Sequence, residues 1–121
     1  MIDTLLSLVG VGKSFKEVNA LTHVDLEIKS GQVIGLVGGN GAGKTTLLRL
    51  MSGVMEPSKG TINFQDKPVS SMRNKLGVVP ESTGLYSRLT AWENIRYHSR
   101  IYGIDDEVAW NRVNHFANLL D

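Results

Sequence analysis

The sequence predicts an α/β fold, with an antiparallel strand layer beside the beginning of a parallel core and then a helical piece. Three observations carry this. Val24, Leu26 and Ile28 alternate with Asp25, Glu27 and Lys29, a period-two strand with one wet face. Val33–Ile34–Gly35–Leu36–Val37 is a short apolar run, read as a buried strand, and a glycine-rich loop follows it directly. Beyond Thr90 the apolar residues recur at helical spacing.

The elements follow in order. Leu5 to Val11 reads as the first strand, and Gly12–Lys13–Ser14–Phe15 and Lys16–Glu17–Val18–Asn19 lead to the second. Ser30–Gly31 turns the chain into the buried strand. After the glycine loop, Leu47, Leu48, Leu50 and Met51 mark a helix with an apolar face, and Gly53 ends it. Glu56–Pro57–Ser58–Lys59–Gly60 makes a turn, Thr61–Ile62–Asn63–Phe64 a short strand, and Gln65–Asp66–Lys67 a second turn. Leu76–Gly77–Val78–Val79–Pro80 is a further apolar strand closed by its proline, and Glu81 to Leu89 a loop. Thr90–Ala91–Trp92–Glu93 has the form of a capping box and starts a helix to about Tyr102, which Gly103 stops. Asp105 or Asp106 caps the last helix, whose apolar face holds Ala109, Val113, Phe116, Ala117 and Leu120. Trp110 lies off that face.

Composition narrows the functional classes. A chain of 121 residues suffices for one domain with a core. A net charge of +1 gives no support to nucleic-acid binding, which wants a basic excess. There is no cysteine, hence no disulfide framework and no Cys-based zinc site, and an intracellular setting fits. No apolar run approaches the ~20 residues of a membrane span. Met1–Ile2–Asp3–Thr4 lacks the basic start of a signal peptide, so any service to a membrane is expected from a peripheral subunit. His23, His98 and His115 are scattered without metal-ligand spacing.

The glycine loop carries the chemistry. Gly38–Gly39–Asn40–Gly41–Ala42–Gly43–Lys44–Thr45–Thr46 fits G-x-x-x-x-G-K-[ST], with Gly38, Gly43, Lys44 and Thr45 at the fixed positions. Glycines let the backbone curl so that successive N–H groups point at phosphate oxygens. A helix beginning near Gly43 directs its unpaired N–H groups and positive dipole end at the same anion. Lys44 would reach the β- and γ-phosphates, and the Thr45 hydroxyl would ligate Mg²⁺. Thr46 is a further expected phosphate contact, and Asn40, Gly41 and Ala42 complete the cradle. This is a P-loop.

Four stretches carry a family resemblance. They are Gly12–Phe15 with Ala20–Leu21 and Val24–Leu26, the P-loop itself, Gly53 to Gly60, and Leu76 to Ile104. Together they make the chain resemble the ATP-binding subunit of an ABC transporter, in the exporter-type branch that includes bacterial sodium- and drug-efflux ATPases. The resemblance covers essentially the whole chain. It implies an incomplete ABC-type nucleotide-binding domain of the P-loop NTPase fold, with residues 1–81 the strand-rich part and 82–121 the Q-loop continuation and start of the helical subdomain. It implies ATP and Mg²⁺ as cofactors and two partners, a transmembrane permease subunit and a second ATP-binding subunit. The location implied is cytoplasmic, against the inner face of the cell membrane.

The resemblance also assigns roles. Phe15 matches the family's aromatic that stacks on adenine, and a π-face against a base is physically sensible. Glu81 stands where most of the family has glutamine, at the position that reaches Mg²⁺ and the attacking water. An ionised carboxylate still ligates Mg²⁺ but donates no hydrogen bond, and the efflux branch often carries Glu there. Tyr86, Leu89, Trp92 and Tyr97 are candidates for an apolar patch facing a membrane subunit or for a small helical core. Arg88, Arg96 and Arg100 read as a solvated face at its rim.

The family continues with a signature of the LSGGQ type, a Walker B strand ending in Asp-Glu and a switch histidine, and none is in this sequence. Asp105–Asp106–Glu107 follows no buried strand and reads as a helix N-terminus. Hydrolysis needs a carboxylate to help hold Mg²⁺ and a residue to position water. The expectation is therefore an ATPase parent and a 121-residue chain that hydrolyses poorly. The other readings are a nucleotide-binding module without turnover and another P-loop NTPase or kinase. A GTPase would want N-K-x-D, which Asn74–Lys75–Leu76–Gly77 breaks at its last position.

Overall fold

A computed structural model describes residues 3–82 and 84–121. Met1 and Ile2 at the expected non-signal start, and Thr83 in the expected loop, lie outside the described residues. The chain forms two compact units, Met1–Val78 and Val79–Asp121.

The first unit is built on a four-stranded antiparallel sheet in the order β2-β1-β3-β4. Its strands are β1 (Thr4–Phe15), β2 (Val18–Lys29), β3 (Lys59–Phe64) and β4 (Lys67–Pro68). The alternation read for β2 holds, with Val24, Leu26 and Ile28 half-buried and Asp25, Glu27 and Lys29 exposed. The first strand runs past the expected Val11 to Phe15, because its irregular pattern hides a bulge. Leu6 and Leu8 point inward, and the register then shifts so that Val11, three residues on, also points inward. Gly10 supplies the bulge with φ 58° and donates its N–H to Asp25 Oδ1 at 2.6 Å. This hydrogen bond, with His23 Nε2 2.7 Å from the other oxygen, holds the Asp25 carboxyl below the usual range.

One helix, α1 (Lys44–Met51), packs its apolar face on this sheet. Leu47 and Leu50 join Leu6, Leu8, Val11, Ile62, Phe64 and Val69 in one buried cluster. Leu48, expected on the same face, is exposed. A short 3₁₀ helix, Val69–Lys75, follows β4 and contributes Val69 to the core. The sequence reading did not include it.

Two expected strands do not form. Residues 33–37 and 76–80 take no place in any sheet among the described residues. An apolar run becomes a buried strand only when neighbours complete its hydrogen-bond ladder and cover both faces. The sheet present ends at β2 and β4, and neither run pairs with it. Val33, Val37 and Val79 are accordingly almost fully exposed.

The second unit holds α2 (Ala91–Ile101) and α3 (Asp106–Leu120). The capping box forms as expected. Glu93 N–H donates to Thr90 Oγ1 at 3.1 Å and Thr90 N–H donates to Glu93 Oε2 at 2.7 Å. Gly103 ends the helix with φ 70°. Asp105 is the N-cap residue of α3, while Asp106 turns back to take Arg100 Nη2 at 2.7 Å and Nε at 3.1 Å. Trp110 meets Trp92 edge-to-face at 4.8 Å, which places Trp92 in a small aromatic contact within this unit. The predicted apolar face of α3 is only begun. Ala109 is buried and Val113 half-buried, but Phe116 and Leu120 are exposed, because α2 reaches only the first part of it.

Asn94 holds this unit's entry loop. It is 5% exposed and accepts the Tyr86 N–H at 2.8 Å. Its amide nitrogen donates to the carbonyls of Tyr86, Leu89 and Thr90 at 3.1, 3.3 and 2.9 Å. Removing it leaves several loop groups without their partner, so Asn94→Ala is expected to lower stability by about 2 kcal/mol. Urea unfolding measures this, and a change below about 0.5 kcal/mol would mean that the loop holds itself.

Besides Asp25 in the first unit, two carboxyls of the second unit set the pH response of its helices. Asp106 is held below the usual range by the Arg100 guanidinium, and Glu93 by the Thr90 N–H. A depressed folded-state value adds stability above the unfolded value of roughly 4 and loses it as pH falls through the folded one. Helix content by circular dichroism should hold above that value and fall below it. A signal flat down to about pH 2 would refute the assignment.

Candidate functional site

The P-loop lies in the first unit, between Val37 and the start of α1. Its curl has local causes. Ala42 N–H donates to Gly39 O at 3.1 Å, and Gly41 and Gly43 take φ of 82° and 98°. The first bond of α1 is Leu47 N–H to Gly43 O at 2.9 Å. The N–H groups of Lys44, Thr45 and Thr46 precede it and have no acceptor within the helix. No side chain caps this end, since glycine stands at the N-cap. Three donors and the positive end of the helix dipole thus open on the loop side, the arrangement that suits an anion.

Gly43 also has a packing reason. A Cβ there would come 2.8 Å from both the Ala20 carbonyl oxygen and Leu21 Cδ2. The start of α1 is therefore pressed against β2, and the loop is positioned by the antiparallel hairpin. At Gly38 a Cβ would meet the Ala42 methyl at 3.1 Å, inside the loop's own concavity. Lys44 is half-buried and its ammonium curls over the loop, donating to the Gly38 and Gly39 carbonyls, the latter at 2.7 Å. Thr45 is exposed and Thr46 half-buried. The structure thus gathers Gly38, Asn40, Gly41, Ala42, Gly43, Lys44, Thr45 and Thr46 in one turn of chain. Cradle, ammonium and hydroxyl fit a nucleotide phosphate with its Mg²⁺.

Phe15 ends β1, opposite Val18, on the hairpin that touches Gly43 through Ala20 and Leu21. The residue is 43% exposed. Lys13 Nζ stands 5.3 Å from the ring centroid. Glu81 belongs to the second unit, exposed and outside regular secondary structure. Tyr86, Leu89 and Tyr97 are exposed in that unit, with Tyr97 edge-on to Tyr86 at 5.3 Å. Sequence reasoning missed Lys13 and Asn94 as organising residues. Neither has a spacing signal, because each acts through backbone carbonyls remote in the chain or across a loop.

The strain at Gly43 is testable against Gly41, which has an open surrounding and only its φ to lose. Gly43→Ala is expected to cost about 2–3 kcal/mol in urea unfolding, and Gly41→Ala about 1 kcal/mol. Equal losses would show that the approach to Ala20 does not constrain the loop.

Comparison with known proteins places this geometry. A family model described as "ABC transporter" matches residues 21–121. The chain is 42% identical over 95 residues to the ABC transporter ATP-binding protein NatA of Bacillus subtilis (strain 168), covering 74% of this chain and 39% of NatA. It is 37% identical over 101 residues to the D-allose import ATP-binding protein AlsA of Escherichia coli (strain K12), covering 78% of this chain and 20% of AlsA. The solved dimeric, post-hydrolysis structure of the ATP-binding cassette MJ0796, bound to ADP and Pi, superposes with a TM-score of 0.75 at 26% identity. That match covers 81% of this chain and 48% of that one. The chain thus spans about two fifths or less of these two relatives and about half of the cassette. Its antiparallel sheet, P-loop and helices form part of an ABC-type nucleotide-binding fold, and the chain belongs to the ABC transporter family.

Proposed function

We propose that this chain is the N-terminal part of an ATP-binding subunit that binds ATP with Mg²⁺ and, in the complete protein, hydrolyses it to drive export across a membrane. The observation that carries the reading is the P-loop on the open N-terminus of α1, with Lys44 folded over it. In this reading Lys44 leaves the Gly38 and Gly39 carbonyls for the β- and γ-phosphates, where an ammonium meets full negative charge. Asn40, Gly41, Ala42, Gly43 and Thr46 offer backbone donors to the phosphates. Thr45 would offer its hydroxyl to Mg²⁺, and the family resemblance assigns Glu81 a Mg²⁺-ligating role in the complete protein, directly or through water. Phe15 stacks on adenine.

Export is the finer part. It rests on the chain's resemblance to the exporter-type branch, which often carries Glu where Glu81 stands in place of glutamine. The named relatives include an import protein, so direction is tested on the complete transporter. The partners proposed are a permease subunit, met by the exposed Tyr86, Leu89 and Tyr97, and a second ATP-binding subunit. The subunit then sits peripherally on the cytoplasmic side. The exposed apolar runs 33–37 and 76–80 support a larger parent, whose further strands would complete their ladders. Because the sequence has no Walker B pair or signature, binding without turnover is proposed for the 121-residue chain.

Calorimetric titration with ATP and Mg²⁺ tests this. Saturable binding is expected, weakened about tenfold to a hundredfold in Lys44→Ala. A folded chain that binds no ATP would defeat the binding reading. Multiple turnover abolished by Lys44→Ala would defeat the proposal that this chain does not hydrolyse.

A further inference from the structure

Lys13 stands in an unusual position for a strand lysine. Its ammonium donates to the Glu56 carbonyl at 2.8 Å and lies 5.3 Å from the Phe15 ring centroid. The side chain is half-buried. Lysine on a strand end ordinarily extends into water, because its ammonium is strongly hydrated. Here the head is held at a fixed acceptor, beside the ring of the residue two places on.

The acceptor is itself fixed. The segment after α1 is tied back to that helix, since Val54 and Met55 N–H both donate to Arg49 O at 3.1 and 3.3 Å. It is also stitched to the end of β1. Ser58 N–H donates to Gly12 O at 2.8 Å, and Ser14 N–H donates to Ser58 Oγ at 3.0 Å. Ser14 Oγ in turn donates to Asn19 Oδ1 at 2.6 Å across the hairpin. The end of β1, the hairpin and the exit of α1 are therefore one hydrogen-bonded patch, with Lys13 bridging it to the aromatic ring.

We propose that Lys13, anchored on the Glu56 carbonyl, is a positioning residue that holds Phe15 as a one-sided platform for the nucleobase. This rests on the reading of Phe15 as the adenine-stacking residue. The physical reasons are two. The ammonium near one face fixes the ring's orientation through its quadrupole, so less freedom is lost when a base arrives. It also draws ring electron density toward itself, which favours an electron-rich purine on the opposite face. Lys13 acts on the base and not on the phosphates, which belong to Lys44 and the loop.

The test separates base from phosphate. Affinities for ATP and for inorganic tripolyphosphate, each with Mg²⁺, are measured by calorimetry for the unaltered chain, Phe15→Ala, Lys13→Met and Lys13→Arg. Lys13→Met is expected to weaken ATP binding about threefold to fivefold and leave tripolyphosphate unchanged, with Lys13→Arg restoring most of the loss. Phe15→Ala should weaken ATP at least as much, again without effect on tripolyphosphate. ATP affinity unchanged in Lys13→Met but weakened in Phe15→Ala would overturn the proposal and leave the stacking reading standing. Equal weakening of both ligands in Lys13→Met would also overturn it, since the lysine would then act through general charge or fold. ATP affinity unchanged in Phe15→Ala, or no ATP binding by the unaltered chain, would remove the stacking reading and this proposal with it.

Discussion

The approach of Gly43 to the backbone of β2 is the constraint on which the phosphate loop depends. A residue with any side chain at position 43 would meet the Ala20 carbonyl oxygen and Leu21 at 2.8 Å and would have to hold φ at 98°. Both demands select glycine, and both come from packing and backbone conformation. Once the helix start is fixed there, Leu47 and Leu50 fall on Leu8 and Val11 in the core, and the free N–H groups of the first turn face the loop. The antiparallel sheet thus orients the N-terminal end of α1 even though α1 is expected to serve a parallel core.

The sheet can do this because of the bulge in β1. A strict alternation from Leu6 would bring Gly10 and Gly12 inward and leave Val11 outside. The extra residue at Gly10 returns Val11 to the core and lets the strand continue to Phe15. Asp25 on β2 takes the bulge N–H, so the irregularity is held across the hairpin by an exposed carboxylate. Close approach of Gly60 on β3 to the Gly10 carbonyl completes the arrangement, with a would-be Cβ at 2.4 Å. Glycine at 43 and at 60 therefore stands where backbone meets backbone, and glycine at 10 holds the φ of 58° that the bulge requires.

These features explain what the sequence disclosed and what it concealed. The P-loop was legible because its chemistry requires particular residues at fixed spacing. The alternation of β2 and the capping box at Thr90–Glu93 were legible because each is a local pattern with a local cause. The reach of β1 was not, since a bulge breaks the period from which a strand is read. The runs at 33–37 and 76–80 have the composition of buried strands, but strand formation depends on ladder partners that a local pattern does not contain. The open face of α3 failed for the same reason, because burial is a property of neighbours. Lys13 and Asn94 act through carbonyls, which every residue possesses, so their partners leave no compositional trace.

The state of Lys44 bears on how such a site works. Its ammonium is satisfied by the Gly38 and Gly39 carbonyls, so it is neither a free charge nor locked in a salt bridge. A carbonyl is a neutral acceptor, and a phosphate oxygen carries charge; the ammonium makes both hydrogen bonds charge-assisted, and only the second adds attraction between opposite full charges. In the proposed binding mode, exchange of one for the other is therefore favourable. The two carbonyls meanwhile hold the ammonium at the loop, so little side-chain freedom remains to be lost on binding. The same logic governs Lys13 in the role proposed for it, where a backbone carbonyl again holds a cation beside the Phe15 ring. In each case a neutral acceptor positions the charge without neutralising it, which an Asp or Glu at the same place would do.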